Sequence, residues 1–259
     1  MAESTLSLGY PELLIAVGTY LGYGRDSDDY TAAQTNDADD MIQAGYRQFL
    51  VPPVLEGEHS QHVWMFLHPA TTLAITTAAE DYDLPDDFGG LIGDMFINTA
   101  TVYNIPIQQV PVNDILTYRS RNGSSSFTSR PERVAVRVKT HAGTTGTRFE
   151  ALMWPFPDAS YTLDYHYNVL VSNLTTALPY PLGGMMHGEL LMQSCLAVAE
   201  TRRNEERGVQ WAMFMERLRA SIQYERNSNA PEHFGIMHDP SVEHENFKRR
   251  RTSLVTTSV

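Results

Sequence analysis

The sequence has a single cysteine in 259 residues, Cys195, so no internal disulfide is available to it. A lone cysteine fits synthesis in a reducing compartment, where it behaves as a small apolar residue. No run approaches the ~20 apolar residues needed to cross a bilayer. The apolar stretch at 13–17 has no basic start before it and is too short for a secretory core, so a soluble protein is expected. Basic residues are scarce at the start of the chain. The first 90 residues hold 15 acidic and 2 basic side chains, residues 91–180 hold 6 and 7, and residues 181–259 hold 10 and 10. The net charge of −12 therefore comes from the first third. Tight binding to nucleic acid draws on Lys and Arg that neutralise phosphates, so this surface disfavours it. It suits a solvated face, or a wall past which DNA slides. No internal repeat stands out, and the 42% of apolar residues suffice for one large domain or two modest ones.

What is present reads as helices around a β-rich middle. Residues 12–20 form a helix: Pro11 is tolerated in a first turn, and Leu13, Leu14, Val17, Tyr20 and Leu21 return at helical spacing. Met41, Ile42, Gly45, Tyr46, Phe49 and Leu50 mark a second helix. Asp37, Asp39 and Asp40 are expected at its N-terminal end, where the helix dipole favours negative charge, and Pro52 and Pro53 end it. From His62 onward, short β-branched and aromatic runs separated by turn residues predict antiparallel strands at 63–67, 73–77, 90–97, 107–110, 133–139, 148–154 and 161–170. A short helix is expected at 112–121, closed by the glycine- and serine-rich run 122–126. After Pro181 the helical period returns in Leu182, Met185, Met186, Leu190, Ala197 and Val198. Gly208 is expected to end that helix, and Trp211, Phe214, Met215, Leu218 and Ile222 give another. Beyond Ser228 the period is lost.

The fold class expected is α+β: a bundle of N- and C-terminal helices, an inserted antiparallel β-rich domain, and an extended C-terminal arm. The corresponding boundaries are 1–58, 59–178, 179–228 and 229–259.

Candidate chemistry is sparse. His59, His62 and His68 with Glu56 and Glu58 are the densest potential metal ligands, but no HExxH or cysteine-pair spacing accompanies them, and we read them as exposed or structural. The acidic runs 26–30 and 37–40 lack the glycine and twelfth-position glutamate of a calcium loop. Cys195 and His187 are eight residues apart, about 80° out of register around a helix, and make no dyad within it. No GxSxG occurs, and Gly143-Thr-Thr-Gly146 reads as a hairpin turn. Paired carboxylates could sit anywhere in the acidic third, but no feature nominates a pair. No catalytic residue, metal site or cofactor is assigned. The basic run Lys248, Arg249, Arg250 and Arg251, with only Phe247 as an aromatic neighbour, reads as docking on an acidic protein partner rather than on DNA.

Six segments, in order, resemble the head-to-tail adaptor (head-completion or tail tubular adaptor) proteins of tailed bacteriophages: IQAGYRQFLVPP (42–53), HVWMFLHPATTL (62–73), YDLPDDFGGLIG (82–93), GTRFEALMWPFPDASYTLDYHY (146–167), YPLGGMMHGELLMQSCLAVAE (180–200) and PEHFGIMHD (231–239). The resemblance implies a non-enzymatic virion protein of the phage neck, made in the host cytoplasm. It implies a homo-oligomeric ring, usually a dodecamer, beneath the portal protein. The lumen of the ring would pass genomic DNA without sequence-specific binding, and its far face would receive the next tail or head-closure protein. No membrane is involved. On this reading Tyr46, Phe49, Met186, Leu190, Trp211 and Phe214 belong to the helices that build bundle and ring. Pro231, Phe234, Phe247 and the basic run at 248–251 belong to the portal-binding arm. The basic end after Asp239 has no counterpart in the resemblance, and channel-lining residues are not assigned. A tail-associated peptidoglycan hydrolase and a DNA-packaging accessory protein are the alternative readings, distinguished by cell-wall cleavage and by salt-sensitive duplex binding.

Overall fold

The computed structural model of the chain describes residues 3–77, 79–99, 102–122, 127–144 and 146–228. The expected arm, with Pro231, Phe234, Phe247, Lys248, Arg249, Arg250 and Arg251, lies outside these residues, as do 123–126 of the glycine- and serine-rich run. The chain divides into two compact units, Met1–Ser221 and Ile222–Val259. Of the second, the described part is residues 222–228, the C-terminal turns of a helix in which the Ser228 hydroxyl donates to the Glu225 carbonyl at 2.9 Å.

The architecture is α+β, with five α-helices among the described residues and one seven-stranded sheet. Helix α1 (Tyr10–Leu21) starts with Pro11 in its first turn, and the Glu12 carboxylate accepts the Gly9 N–H at 3.0 Å. It stops at Gly22, whose φ of 85° is the left-handed conformation a glycine adopts without strain. Helix α2 (Ala32–Leu50) begins nine residues before its apolar stripe. Thr31 and Gln34 form a capping box that sets this start. The expectation that Asp37, Asp39 and Asp40 mark the N-terminal end is thereby corrected, because they lie within the helix. Asp39 instead accepts hydrogen bonds from the Tyr10 hydroxyl and from Gln43, each at 2.9 Å, and Asp37 accepts one from the Tyr23 hydroxyl at 2.5 Å. These carboxylates fasten α2 to α1 and to the turn after it.

Helices α4 (Gly184–Asn204) and α5 (Val209–Ser228) follow the β region, and α1, α2 and α4 touch one another pairwise. α2 and α4 come close at Gly45, where an added Cβ would stand 2.5 Å from the Cys195 Cα. The Ser194 hydroxyl donates to the Gly45 carbonyl at 2.8 Å in the same contact. Gly208 does not end α4, contrary to expectation. The helix closes at Glu205, which takes a left-handed φ of 58°, and Gly208 opens α5 instead. The Glu200 carboxylate, buried in α4, accepts the N–H groups of Gly208 and Trp211 at 3.1 Å each and so caps α5.

Residues 63–67 are not a strand. Trp64 turns inward, donates its indole N–H to the Phe49 carbonyl at 2.8 Å, and stacks with Phe49 and Phe66, leaving one 3-10 turn at Met65–Leu67. Aromatic packing on the helices replaces ladder hydrogen bonds at this point.

The strands are β1 (Ala70–Ile75), β2 (Asp81–Asp83), β3 (Phe88–Thr99), β4 (Val102–Gln109), β5 (Arg133–Ala142), β6 (Gly146–Trp154) and β7 (Tyr161–Val169), in the order β1-β7-β3-β4-β5-β6-β2. All neighbours are antiparallel except β4 and β5, which pair in parallel through Gln108 with Arg133 and Gln109 with Val134. A parallel step needs a crossover, and α3 (Val112–Asn122) supplies it. The period of two then divides β5 and β6 between two cores. Val134, Ala151 and Met153 join Ile97, Ile107, Leu163 and Tyr165 in the main core. Ala135, Leu152 and Trp154 point the other way, beneath Ile115 of α3 and Phe156.

Candidate interaction surfaces

Four of the six side chains assigned to bundle and ring helices are spent inside the protomer. Phe49, Leu190 and Phe214 are almost fully buried. Tyr46 is buried as well, and its hydroxyl accepts the Leu182 N–H at 3.1 Å, tying the Tyr180–Gly184 corner to α2. Burial pushes the Tyr46 phenol above its usual range. Met186 remains 51% exposed, and Trp211 is half-buried at the start of α5.

The residues weighed for catalysis have packing duties. His187 lies among the rings of Phe49, Trp64 and Phe66. Cys195 is fully buried against Gly45 and contacts the Ile42 carbonyl, and desolvation pushes its thiol up to about 12. A thiol held protonated at neutral pH is a poor nucleophile. Among the described residues no three histidine, cysteine, aspartate or glutamate side chains gather as metal ligands. No helix of the described residues is long and apolar enough to cross a membrane.

The most organised polar constellation went unread in the sequence. Arg119 of α3 reaches Asp81 of β2 at 3.0 Å, donates to the carbonyls of Glu80 and Met153, and lies over the Phe156 ring. Asp81 also meets Arg137 of β5, whose Nε contacts Glu150 of β6 at 2.6 Å. Lys139 and Asp83 extend the row at 2.5 Å. The alternation of Asp81 with Asp83 and of Arg137 with Lys139 was the available signal. It could not be used without knowing that β2 pairs beside β6 across the sheet. The network pins α3 and the edge strand β2, and the Nε of Arg119 is buried there without a hydrogen-bond partner.

Two surface features have the character of contact sites. The first is a cleft of about 610 Å³ between α2, α4 and the start of α5, lined by Arg47, Arg202, Arg207, Gln48, Val51 and Trp211 together with three smaller contributors. Arg207 stacks on Trp211, with its guanidinium carbon 4.2 Å from the ring centre. The second is a smaller groove of about 200 Å³ beside Tyr46, where the exposed apolar side chains of Leu170, Leu178 and Tyr180 meet Leu174 and Leu182. Opposed to both in character is the α1–α2 connection, where Asp26, Asp28 and Asp29 are exposed.

The chain thus combines an α+β architecture, a three-helix contact, a β-rich middle, a buried His187 and Cys195, and two surface clefts. With the six segments in their order, it defines the class of phage head-to-tail adaptors. The chain belongs to the SU10 adaptor protein family, whose model matches residues 9–233. Family membership implies a structural role in a virion rather than a catalytic one. Comparison with curated proteins gives no match.

Proposed function

We propose that the protein forms a ring in the neck of a tailed phage, beneath the portal protein, and continues the DNA channel into the tail. The observation that carries this reading is the family match across residues 9–233, which takes in every helix and strand described above. In this reading α1, α2, α4 and α5 form the bundle that holds the ring, and the β-rich region inserted between α2 and α4 faces the next component. Residues 231–251 reach onto the portal, with Pro231, Phe234, Phe247 and the basic run at 248–251 making the grip. Closed rings require a heterologous side-to-side interface, and a protomer with unlike surfaces on its two flanks supplies one. The acidic excess of the first third favours a lumen to which DNA does not stick. Tyr46, Phe49, Leu190 and Phe214 give the bundle its rigidity, while Met186 and Trp211 remain available to neighbours.

Electron microscopy of purified particles tests this directly. The expected image is a ring of about twelve copies between portal and tail, the number that the family resemblance implies. Particles in which the chain is absent from the neck, or present as single copies, overturn the reading. Removing residues 231–259 is expected to leave the fold intact, by circular dichroism, while abolishing attachment to DNA-filled heads. Normal infectious particles from that deletion contradict the role given to the arm.

A further inference from the structure

We propose that the arginine cleft between α2, α4 and the start of α5 receives the acidic α1–α2 connection of a second copy of this chain. This rests on the ring reading above and names the contact between neighbours.

The cleft offers donors without acceptors to match them. Arg119, Arg137, Lys139 and Arg148 all pair with carboxylates of their own chain. Arg47, Arg202 and Arg207 pair with none among the described residues, although the chain carries a net charge of −12. Arg47 is one of only two basic side chains in the first 90 residues. Beside these guanidinium groups the amide nitrogen of Gln48 is buried without a hydrogen-bond partner. Stacking on Trp211 holds Arg207 by its flat face, which leaves the N–H fork free to meet an acceptor. Three guanidinium groups select carboxylates or phosphates. The apolar wall of Val51 and Trp211 favours a peptide over a sugar-phosphate chain.

The complementary piece is a separate segment of the chain, the connection that follows Leu21, whose carbonyl accepts from Arg203 at 2.8 Å. Asp28 and Asp29 are exposed and make no ion pair among the described residues. They sit on a single 3-10 turn, Ser27–Asp29, fixed because the Asp26 carboxylate accepts the Asp28 N–H at 3.0 Å. Tyr30 anchors the end of the turn, donating its hydroxyl to the Gly24 carbonyl at 2.8 Å. A pre-formed corner loses little freedom on docking, so its carboxylates are presented at low entropic cost. A cleft on one copy that takes a segment of the next makes a head-to-tail contact, the kind that repeats around a ring.

Charge reversal decides the matter in assembled particles. Arg47→Glu with Arg202→Glu is expected to lower the copies per neck at least tenfold, counted by electron microscopy and quantitative mass spectrometry. Asp28→Arg with Asp29→Arg is expected to do the same, and the four changes together to restore rings. All four side chains are exposed, so circular dichroism and melting temperature should match the wild type and serve as the folding control. Rings that form normally in either reversed variant overturn this inference, as does failure of the combined variant to exceed the two parents. Rings that form while only attachment of the next component or DNA release is impaired assign the cleft to another partner and overturn it too. Wild-type particles without any ring defeat the proposed function itself, which separates that failure from this one.

Discussion

At the scale of single residues, the contact between Gly45 and Cys195 sets how closely α2 and α4 lie. Alanine in place of glycine gains about 1 kcal/mol of helix propensity. The new methyl would also stand 2.5 Å from a backbone carbon and 2.8 Å from the Cys195 sulfur, and overpacking of that kind costs typically about 1–3 kcal/mol, or more where backbone must move. The steric cost wins, and Gly45→Ala is expected to lose about 2 kcal/mol in urea unfolding. A variant more stable than wild type would show that the helices do not approach as described. Tyr10 and Asp39 make a comparable small device. Burial first, then the hydrogen bond to Asp39, pushes the Tyr10 phenol up to about 12, so the bond between α1 and α2 persists throughout the neutral range.

At the scale of elements, the corner between α4 and α5 depends on one buried carboxylate. Glu200 satisfies two N–H groups that a helix start leaves without internal partners, and it sits at the positive end of the α5 dipole. Glu200→Ala is expected to destabilise by about 1–2 kcal/mol, the range for loss of a helix cap. It should speed hydrogen exchange at Gly208 and Trp211 while leaving α1 unchanged. Glu200→Gln keeps one acceptor oxygen and should recover part of the loss. Equal exchange in Glu200→Ala and wild type would remove the cap from the account.

Apolar spacing made α1 and α5 readable in the sequence, β-branched and aromatic runs marked six of the seven strands, and the interval between those runs left room for α3. The start of α2 was missed because its first nine residues carry no large apolar side chain, and only the Thr31–Gln34 box marks them. Gly208 misled because a glycine serves equally to end one helix and to open the next. The strand β2 was invisible at three residues, and with it the Asp81 pairing that completes the ionic row. The surfaces were the least legible part. Arg47 is far in the chain from Arg202 and Arg207, and they meet only through the crossing of α2 and α4 and the turn into α5.

At the scale of the whole molecule, charge decides more than shape. With a net charge of −12, the full chain is expected to show no retention of a 20-base-pair duplex in about 150 mM salt, measured by fluorescence anisotropy. Salt-sensitive binding at micromolar protein would favour a packaging accessory over a neck component. The sheet meanwhile joins two antiparallel groups, β1-β7-β3-β4 and β5-β6-β2, through two parallel register pairs, and the shared core of Ile107 with Val134 carries the continuity that the ladder there does not. The sealed position of Cys195 has a practical corollary. Any cysteine introduced on the surface would be the sole reactive one, so dyes or spin probes could be attached at a chosen point on each copy, and spacings between copies in an intact neck read out without first removing a native residue.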